Sequence, residues 1–374
     1  MSGMINLIRQ IFLGANIVSA AGMVITGYSY LIDPAKFTPT ATLGIFFPIF
    51  LAVNLFFLFF WLIFNRKAAI LSTATLMLCY FPMKKYIGIN IPQSIPEETI
   101  KVMTYNVLHF HGMQDHPTKE LKNEIADFLV SSDCDILCLQ EANEGALTQA
   151  GRDKLKEKYP YSHIDDKKGQ QNSIALYSKY PILWSDTIAY KSKANISVAY
   201  ILMTPVGKTL VINNHLESNH LSIEERNQFR NMVTGEMKTD SVGRHSKSLL
   251  TKLTESTLVR NPQAKAVAAF VAAHKGMPVI LCGDFNETPI SFTHHTISKN
   301  LTDCFVSSGI GPGWSYCHSG MRVRIDNIMC SEHFKPYGCK VLSNIHYSDH
   351  YPMVCWLKPR DDNKQRAEEK KFIK

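Results

Sequence analysis

The sequence predicts an α/β domain with two packed sheets, carried behind an apolar helical segment at the N-terminus. Three observations predict it. Composition changes along the chain: between Gln10 and Asn65 the only charged residues are Asp33 and Lys36, whereas beyond Pro96 both signs of charge recur throughout. Past that point short apolar runs alternate with helical stretches, separated by turn residues. Several of those runs end in a side chain able to bind a ligand. An apolar share of 45% over 374 residues excludes a disordered chain, and the uncharged first segment excludes a wholly water-exposed one.

Residues 11–32 and 43–64 are uncharged and apolar. As helices each extends about 33 Å, enough for a bilayer core of about 30 Å. Asp33-Pro34 breaks the chain after the first, and Arg66-Lys67 stops the second. A third stretch, 68–86, ends in Lys84-Lys85 and spans if those lysines snorkel and Tyr80-Phe81 sits at the interface. The expectation is an anchor over 1–88 with three transmembrane helices (11–32, 43–64, 68–86). A cleaved signal peptide is disfavoured because two further apolar runs follow the first. A buried hairpin is disfavoured by the Phe- and Trp-rich, uncharged second run.

Residues 1–95 carry +5 of the chain's net +8, leaving +3 for residues 96–374. The second part is therefore no strongly basic nucleic-acid platform. With the N-terminus inside, Arg9, Arg66 and Lys67 lie inside and Lys36, Lys84 and Lys85 outside. Lysines that precede a long domain count little. The balance predicts a multi-pass protein of the cell membrane with its catalytic part on the extracytoplasmic side.

Residues 89–97, with two prolines, read as a linker. Strands are predicted over 100–105, 136–139, 173–178, 198–204, 209–213, 278–282, 324–329 and 354–356, and helices over 118–131 and 262–274. The domain extends over 98–358, and 359–374 is a charged tail. Residues 219–258 read as a surface insertion, with a lid or membrane-facing arm as the functional alternative. The nine cysteines form no CxxC pair and sit among apolar neighbours, as core thiols do.

The polar residues that close the strands carry the chemistry. Asn106 ends one, Gln140-Glu141 another, and His215 follows Val-Ile-Asn-Asn. Asp284 and Asn286 follow Val-Ile-Leu-Cys-Gly, Asp326 stands in Arg-Ile-Asp-Asn, and Asp349-His350 in Ser-Asp-His-Tyr-Pro. Singly, such residues are helix caps or solvated turns. His109 and His111, just after Asn106, read as loop residues, with lining of the site rim as the alternative, and His294-His295 has no metal-ligand spacing.

As an ordered set, Asn, Gln-Glu, His, Gly-Asp-Phe-Asn, Arg-Ile-Asp and Ser-Asp-His resemble the endonuclease/exonuclease/phosphatase superfamily of metal-dependent phosphoesterases. The resemblance covers Ile100 to about Trp356 and implies a four-layer sandwich of two mixed sheets flanked by helices. It also implies hydrolysis of a phosphoester with Mg²⁺ or Mn²⁺ held by Glu141 and Asn106, with Asp349 as a further metal carboxylate. Asp284 is then the general base and Asn286 orients the water or the phosphate. His215 and His350 donate to the phosphoryl oxygens, and Asp326 fixes the His350 ring.

For the substrate, Asn213-Asn214-His215-Leu216 resembles the histidine form of sphingomyelinases, deoxyribonuclease I and deadenylases. The sequences around Asp284 and Asp326 lack the tryptophan and cysteine signatures of inositol-polyphosphate 5-phosphatases. The expected partners are the lipid bilayer and a phosphoester substrate, a phospholipid head group before nucleic acid. The remaining alternative is a catalytically idle membrane scaffold, against which every catalytic position being filled argues.

Overall fold

The computed structural model describes residues 2–113, 118–166, 172–234, 236, 239–318 and 320–360. Of the tail, Pro359 closes the last strand and residues 361–374 lie outside the described set.

Two six-stranded mixed sheets form the domain. The first runs in the order Phe334–Val341, Met353–Pro359, Ile100–Asn106, Ile136–Gln140, Ser173–Ser178, Tyr161–Asp166. The second runs Thr302–Asp303, Asp326–Cys330, Val279–Asp284, Gly207–His215, Ser197–Thr204, Ile182–Thr187. Each sheet has one parallel pair at its centre, 100–106 with 136–140 and 207–215 with 279–284, and antiparallel neighbours outward.

Side-chain alternation explains the four layers. Val102, Ile136, Cys138, Val211, Ile280 and Cys282 meet between the sheets, while Met103, Tyr105, Leu137 and Leu139 point the other way. There they pack on Ile125, Ala126 and Leu129 of helix Lys119–Ser131, whose first turn Thr118 Oγ1 caps at Leu121 N, 3.2 Å. Leu210, Ile212 and Leu281 likewise meet Ala264, Val267 and Val271 of helix Thr239–Ala273. Strands covered on both faces read as unbroken apolar runs, which is why the central ones were legible.

The departures from expectation have local causes. The helix expected to start at Pro262 begins at Thr239 and carries the proline inside it. Buried neighbours hold it there: Arg260 Nη1 donates to Glu217 O (2.7 Å) and Gln263 Oε1 accepts from Glu217 N (2.9 Å). Residues 219–258 are thus largely helical, Ile223–Thr234 followed by the start of the long helix. The segment expected as strand 324–329 pairs only from Asp326, the Ile325 N–H donating to Ser315 Oγ at 3.0 Å and the Arg324 side chain to Asp303. Unforeseen edge strands such as Ile182–Thr187 are mostly exposed and lack an apolar pattern.

The N-terminal segment packs as helices Ser2–Tyr28, Phe47–Phe64, Arg66–Leu78 and Tyr80–Tyr86. Among the described residues two helical stretches, Asn6–Leu31 and Thr40–Phe64, are long and apolar enough to cross a membrane. The third expected span is two helices divided at Cys79. Pro82 has no N–H for the Leu78 carbonyl, which accepts instead from Tyr28 Oη at 2.5 Å. The interior of the bundle holds Met23, Phe47, Leu51 and Trp61 together with polar side chains. Asn16 and Asn54 are fully buried, Asn16 Oδ1 accepting from Trp61 Nε1 (3.0 Å) and Asn54 Nδ2 donating to Ser19 Oγ (2.9 Å). Val18, Phe59, Ile63 and Ile70 face outward.

This bundle is seated on the domain. Ile290 packs with Met23, Tyr30 and Phe47. Lys265 Nζ pairs with Asp33 Oδ2 at 2.6 Å. Arg324 Nη2 donates to Lys85 O at 3.0 Å. The expected linker begins in the fold, since Gly88–Ile89 pairs with Ile310–Gly311 and Asn90 Nδ2 donates to Gly309 O at 2.8 Å.

Candidate active site

The two parallel pairs bring their carboxyl ends together, where an α/β layer opens a site. Register sets the neighbours: Asn106 lies opposite Gln140, so Glu141 follows at the strand end, and His215 lies opposite Asp284, which in turn faces Asp326. Gly283 permits the close pairing. It sits at φ +136°, and a Cβ there would collide with the Asn214 carbonyl across the parallel pair. Beneath the site the sheets are tied by Gln140 Nε2 donating to Asn213 Oδ1 (2.6 Å), while Asn213 Nδ2 donates to Leu139 O (3.0 Å).

Asn106 Nδ2 stands 3.1 Å from Glu141 Oε1 and 3.4 Å from Asp284 Oδ2, which joins the carboxylates of the two sheets through one amide. His215 Nε2 lies between them, 3.8 Å from Glu141 Oε1 and 3.9 Å from Asp284 Oδ2. Asp284 Oδ1 accepts from Asn286 N at 2.8 Å. His350 Nδ1 is bonded to Asp326 Oδ2 at 2.8 Å, and its Nε2 faces Asp284 Oδ2 at 3.7 Å. Ser315 Oγ accepts from Asp326 N (3.0 Å), and the Tyr316 ring stands edge-on to His350, 5.0 Å between centroids.

Burial and charge set distinct protonation states. Burial raises the Asp284 carboxyl to about 7, helped by Asp326 and opposed by His350. Burial opposes charge on His350, yet the Asp326 and Asp284 carboxylates raise it to about 10, an imidazolium at neutral pH. Burial also works against the Glu141 carboxylate, but His215, His109 and the Asn106 amide hold it below the usual range. Burial lowers His215, opposed by the Glu141 carboxylate. The site therefore combines an ionised carboxylate, a basic carboxylate poised near neutrality and a charged donor.

Asn106, Glu141, His215, Asp284, Asp326 and His350 converge. Asn286 is adjacent, its Nδ2 donating to Leu216 O (3.0 Å). Asp349 stands apart from Glu141 in its contacts: its Oδ1 meets Ser348 Oγ (3.3 Å) and its Oδ2 faces Arg226 at 3.7 Å. Sequence reasoning passed over His109, whose Nε2 is 3.2 Å from Glu141 Oε2, and Arg226, which the insertion delivers to the site rim. Adjacency to Asn106 was the one signal for His109; Arg226 had none.

The donor set suits a hard divalent cation. The Asn106 side chain and the Glu141 carboxylate are in contact through Asn106 Nδ2, with the Asn106 carbonyl oxygen turned to Leu108 N, and Asp326 Oδ1 is buried without a partner among the described residues. Asp284, Asp326 and His350 also bring ligand atoms within 4.8 Å of one another. Because His350 Nδ1 is already bonded to Asp326, that trio is better suited to moving a proton than to holding an ion.

Residues 103–350 match the model of the Endonuclease/Exonuclease/phosphatase family, and the chain belongs to that family of phosphoester hydrolases. Residues 9–86 match the model of a domain of unknown function. No curated protein matches. Among solved structures the chain is similar to truncated Caenorhabditis elegans TDP2, at 17% identity over 71% of this chain and 99% of that one, TM-score 0.48. It is similar to an endonuclease/exonuclease/phosphatase from Beutenbergia cavernae DSM 12333, at 16% identity over 70% and 72%, TM-score 0.48. It is also similar to ANGEL2, a 2',3'-cyclic phosphatase, at 15% identity over 72% and 99%, TM-score 0.46.

Proposed function

We propose that this protein is a membrane-anchored phosphodiesterase that uses Mg²⁺ or Mn²⁺ to hydrolyse the head group of a membrane lipid. One observation carries the lipid reading: the rim of the site is fastened to the apolar bundle. Ile290, four residues past Asn286, packs among Met23, Tyr30 and Phe47, and Arg324, two residues before Asp326, holds the Lys85 carbonyl. A phosphodiester already confined to the bilayer surface meets such a site at high effective concentration. The apolar outer face of the bundle and its buried Asn16 and Asn54 support membrane spanning. Arg9 reaches Asn65, beside Arg66-Lys67, so those charges cluster at the bundle end away from the domain. That clustering supports a domain on the extracytoplasmic side.

Glu141 and Asn106 would hold the cation, which supplies Lewis-acid stabilisation of the phosphoryl oxygens. Asp284 accepts the proton of the attacking water, being basic enough near neutrality. His350, charged and oriented by Asp326, donates to a non-bridging oxygen, and His215 donates to another.

The test is the full chain in liposomes with Mg²⁺ or Mn²⁺, comparing kcat/KM for phosphatidylcholine and sphingomyelin with that for single- and double-stranded DNA at matched salt. Head-group release faster than DNA cleavage supports the reading. Faster DNA cleavage with no head-group release makes the protein a membrane-tethered nuclease, and hydrolysis of neither, with no metal-dependent hydrolysis of bis-p-nitrophenyl phosphate as well, favours a scaffold.

A further inference from the structure

We infer that His109 is a third protein ligand of the cation, and that it biases the centre toward a first-row transition dication such as Mn²⁺ over Mg²⁺. The inference rests on the metal site proposed above. Its first support is position: His109 Nε2 lies 3.2 Å from Glu141 Oε2, on the side of the carboxylate opposite the Asn106 contact to Oε1. Two ligand atoms at neighbouring corners of an octahedron with bonds of about 2.1 Å stand about 3.0 Å apart. The pair is already spaced to share an ion.

The second support is the backbone that delivers the ring. Leu108, His109 and Phe110 all have left-handed φ, +45°, +55° and +57°, and Glu141 has φ +50°. Consecutive left-handed residues other than glycine are disfavoured by Cβ contacts, and such segments persist only where the surroundings impose them. Here the His109 N–H donates to Glu141 O at 2.8 Å, Leu108 N–H donates to Asn106 Oδ1 at 3.2 Å, and Phe110 is fully buried. The segment runs from Asn106 to Glu141 and sets the imidazole Nε2 against Glu141 Oε2. Among the described residues His109 Nδ1 is buried with no hydrogen-bond partner, and the ring's polar contact there is the one toward Glu141.

The chemistry follows from the donors. Carboxylate and carbonyl oxygens serve Mg²⁺ and Mn²⁺ alike, whereas an imidazole nitrogen favours the transition metal. His215, farther from Glu141 at 3.8 Å, remains free to address the substrate.

The experiment measures binding of Mn²⁺ to the full chain in detergent by loss of the free-ion EPR signal, with and without Mg²⁺ competition, and nitrogen modulation of the bound Mn²⁺ signal. Wild type is compared with His109→Asn, which tolerates a left-handed φ, and with Glu141→Gln. The expected result is that His109→Asn loses at least tenfold in Mn²⁺ affinity, keeps Mg²⁺ affinity within twofold, and shows weaker nitrogen modulation. Equal loss for both ions, which would make His109 an orienting partner of Glu141, or no loss for either, overturns the inference while leaving the metal site intact. If Glu141→Gln binds Mn²⁺ as wild type does, the metal site itself falls and the inference with it.

Discussion

Replacing Asp326 by asparagine tests the charged state of His350 with the least change of shape. The carboxylate is fully buried and bonded to His350 Nδ1 at 2.8 Å, with the Asp284 carboxylate 3.7 Å from Nε2 on the other side. Together they overcome burial and raise His350 from 6.5 to about 10. That corresponds to roughly 5 kcal/mol in favour of the imidazolium. An opposite charge at hydrogen-bond distance accounts for shifts of about 1–3 pH units. Asp326→Asn should therefore bring the alkaline limb of kcat/KM down by about 2 pH units, since the protonated ring is the active form and is lost as pH rises through its pKa. With the limb moved to about 8, the rate should drop roughly twofold at pH 8 and roughly tenfold at pH 9, where wild type still holds the ring protonated. The assay is hydrolysis of bis-p-nitrophenyl phosphate by the full chain in detergent across pH 5–11, with circular dichroism to verify the fold. A folded variant whose alkaline limb coincides with wild type would refute the role given to the pair.

Glu141→Gln keeps the side-chain shape but removes the charge, so metal titrations of activity should shift to much higher Mg²⁺ or Mn²⁺; an unchanged titration excludes Glu141 as the ligand. Asp284→Asn should cost roughly 10²–10⁴-fold in kcat while metal binding persists, because an amide cannot take the water proton. In wild type, kcat/KM should fall as pH drops below about 7, where the raised Asp284 carboxyl becomes protonated. A rate that stays flat from pH 8 to pH 5 contradicts that assignment. Asp303, held well below the usual carboxylate range despite its burial by Arg324 and His294, contributes stability above the unfolded pKa that is lost as pH falls. Asp303→Asn leaves Arg324 buried without its charge partner and should cost about 3–5 kcal/mol in denaturant unfolding near pH 7.

Half of the chemistry-bearing residues were legible in the chain because they stand at the end of a strand covered on both faces, whereas Asp326 opens its strand and His350 precedes one. Such strands are unbroken apolar runs, so Asn106, Glu141, His215 and Asp284 stood out as the polar residues that end them. The two helices long and apolar enough to cross a membrane were legible for a related reason: absence of charge over a bilayer's length needs no neighbours to be recognised.

Distances between these side chains were not legible, since Asn106 and Asp284 meet only when two parallel crossovers bring the ends of both sheets to one place. Nor was the left-handed turn that carries His109 to Glu141, because backbone sign in a segment without glycine is imposed by packing rather than by local preference. The division of the third apolar stretch at Cys79, and the seating of Ile290 and Arg324 on the bundle, likewise depend on partners remote in sequence. Sequence alone thus determined which residues could do the chemistry and that a membrane-length apolar segment precedes them. Tertiary structure decided which of them act on one another, because proximity across a sheet sandwich is set by register and crossover, and spacing along the chain carries neither.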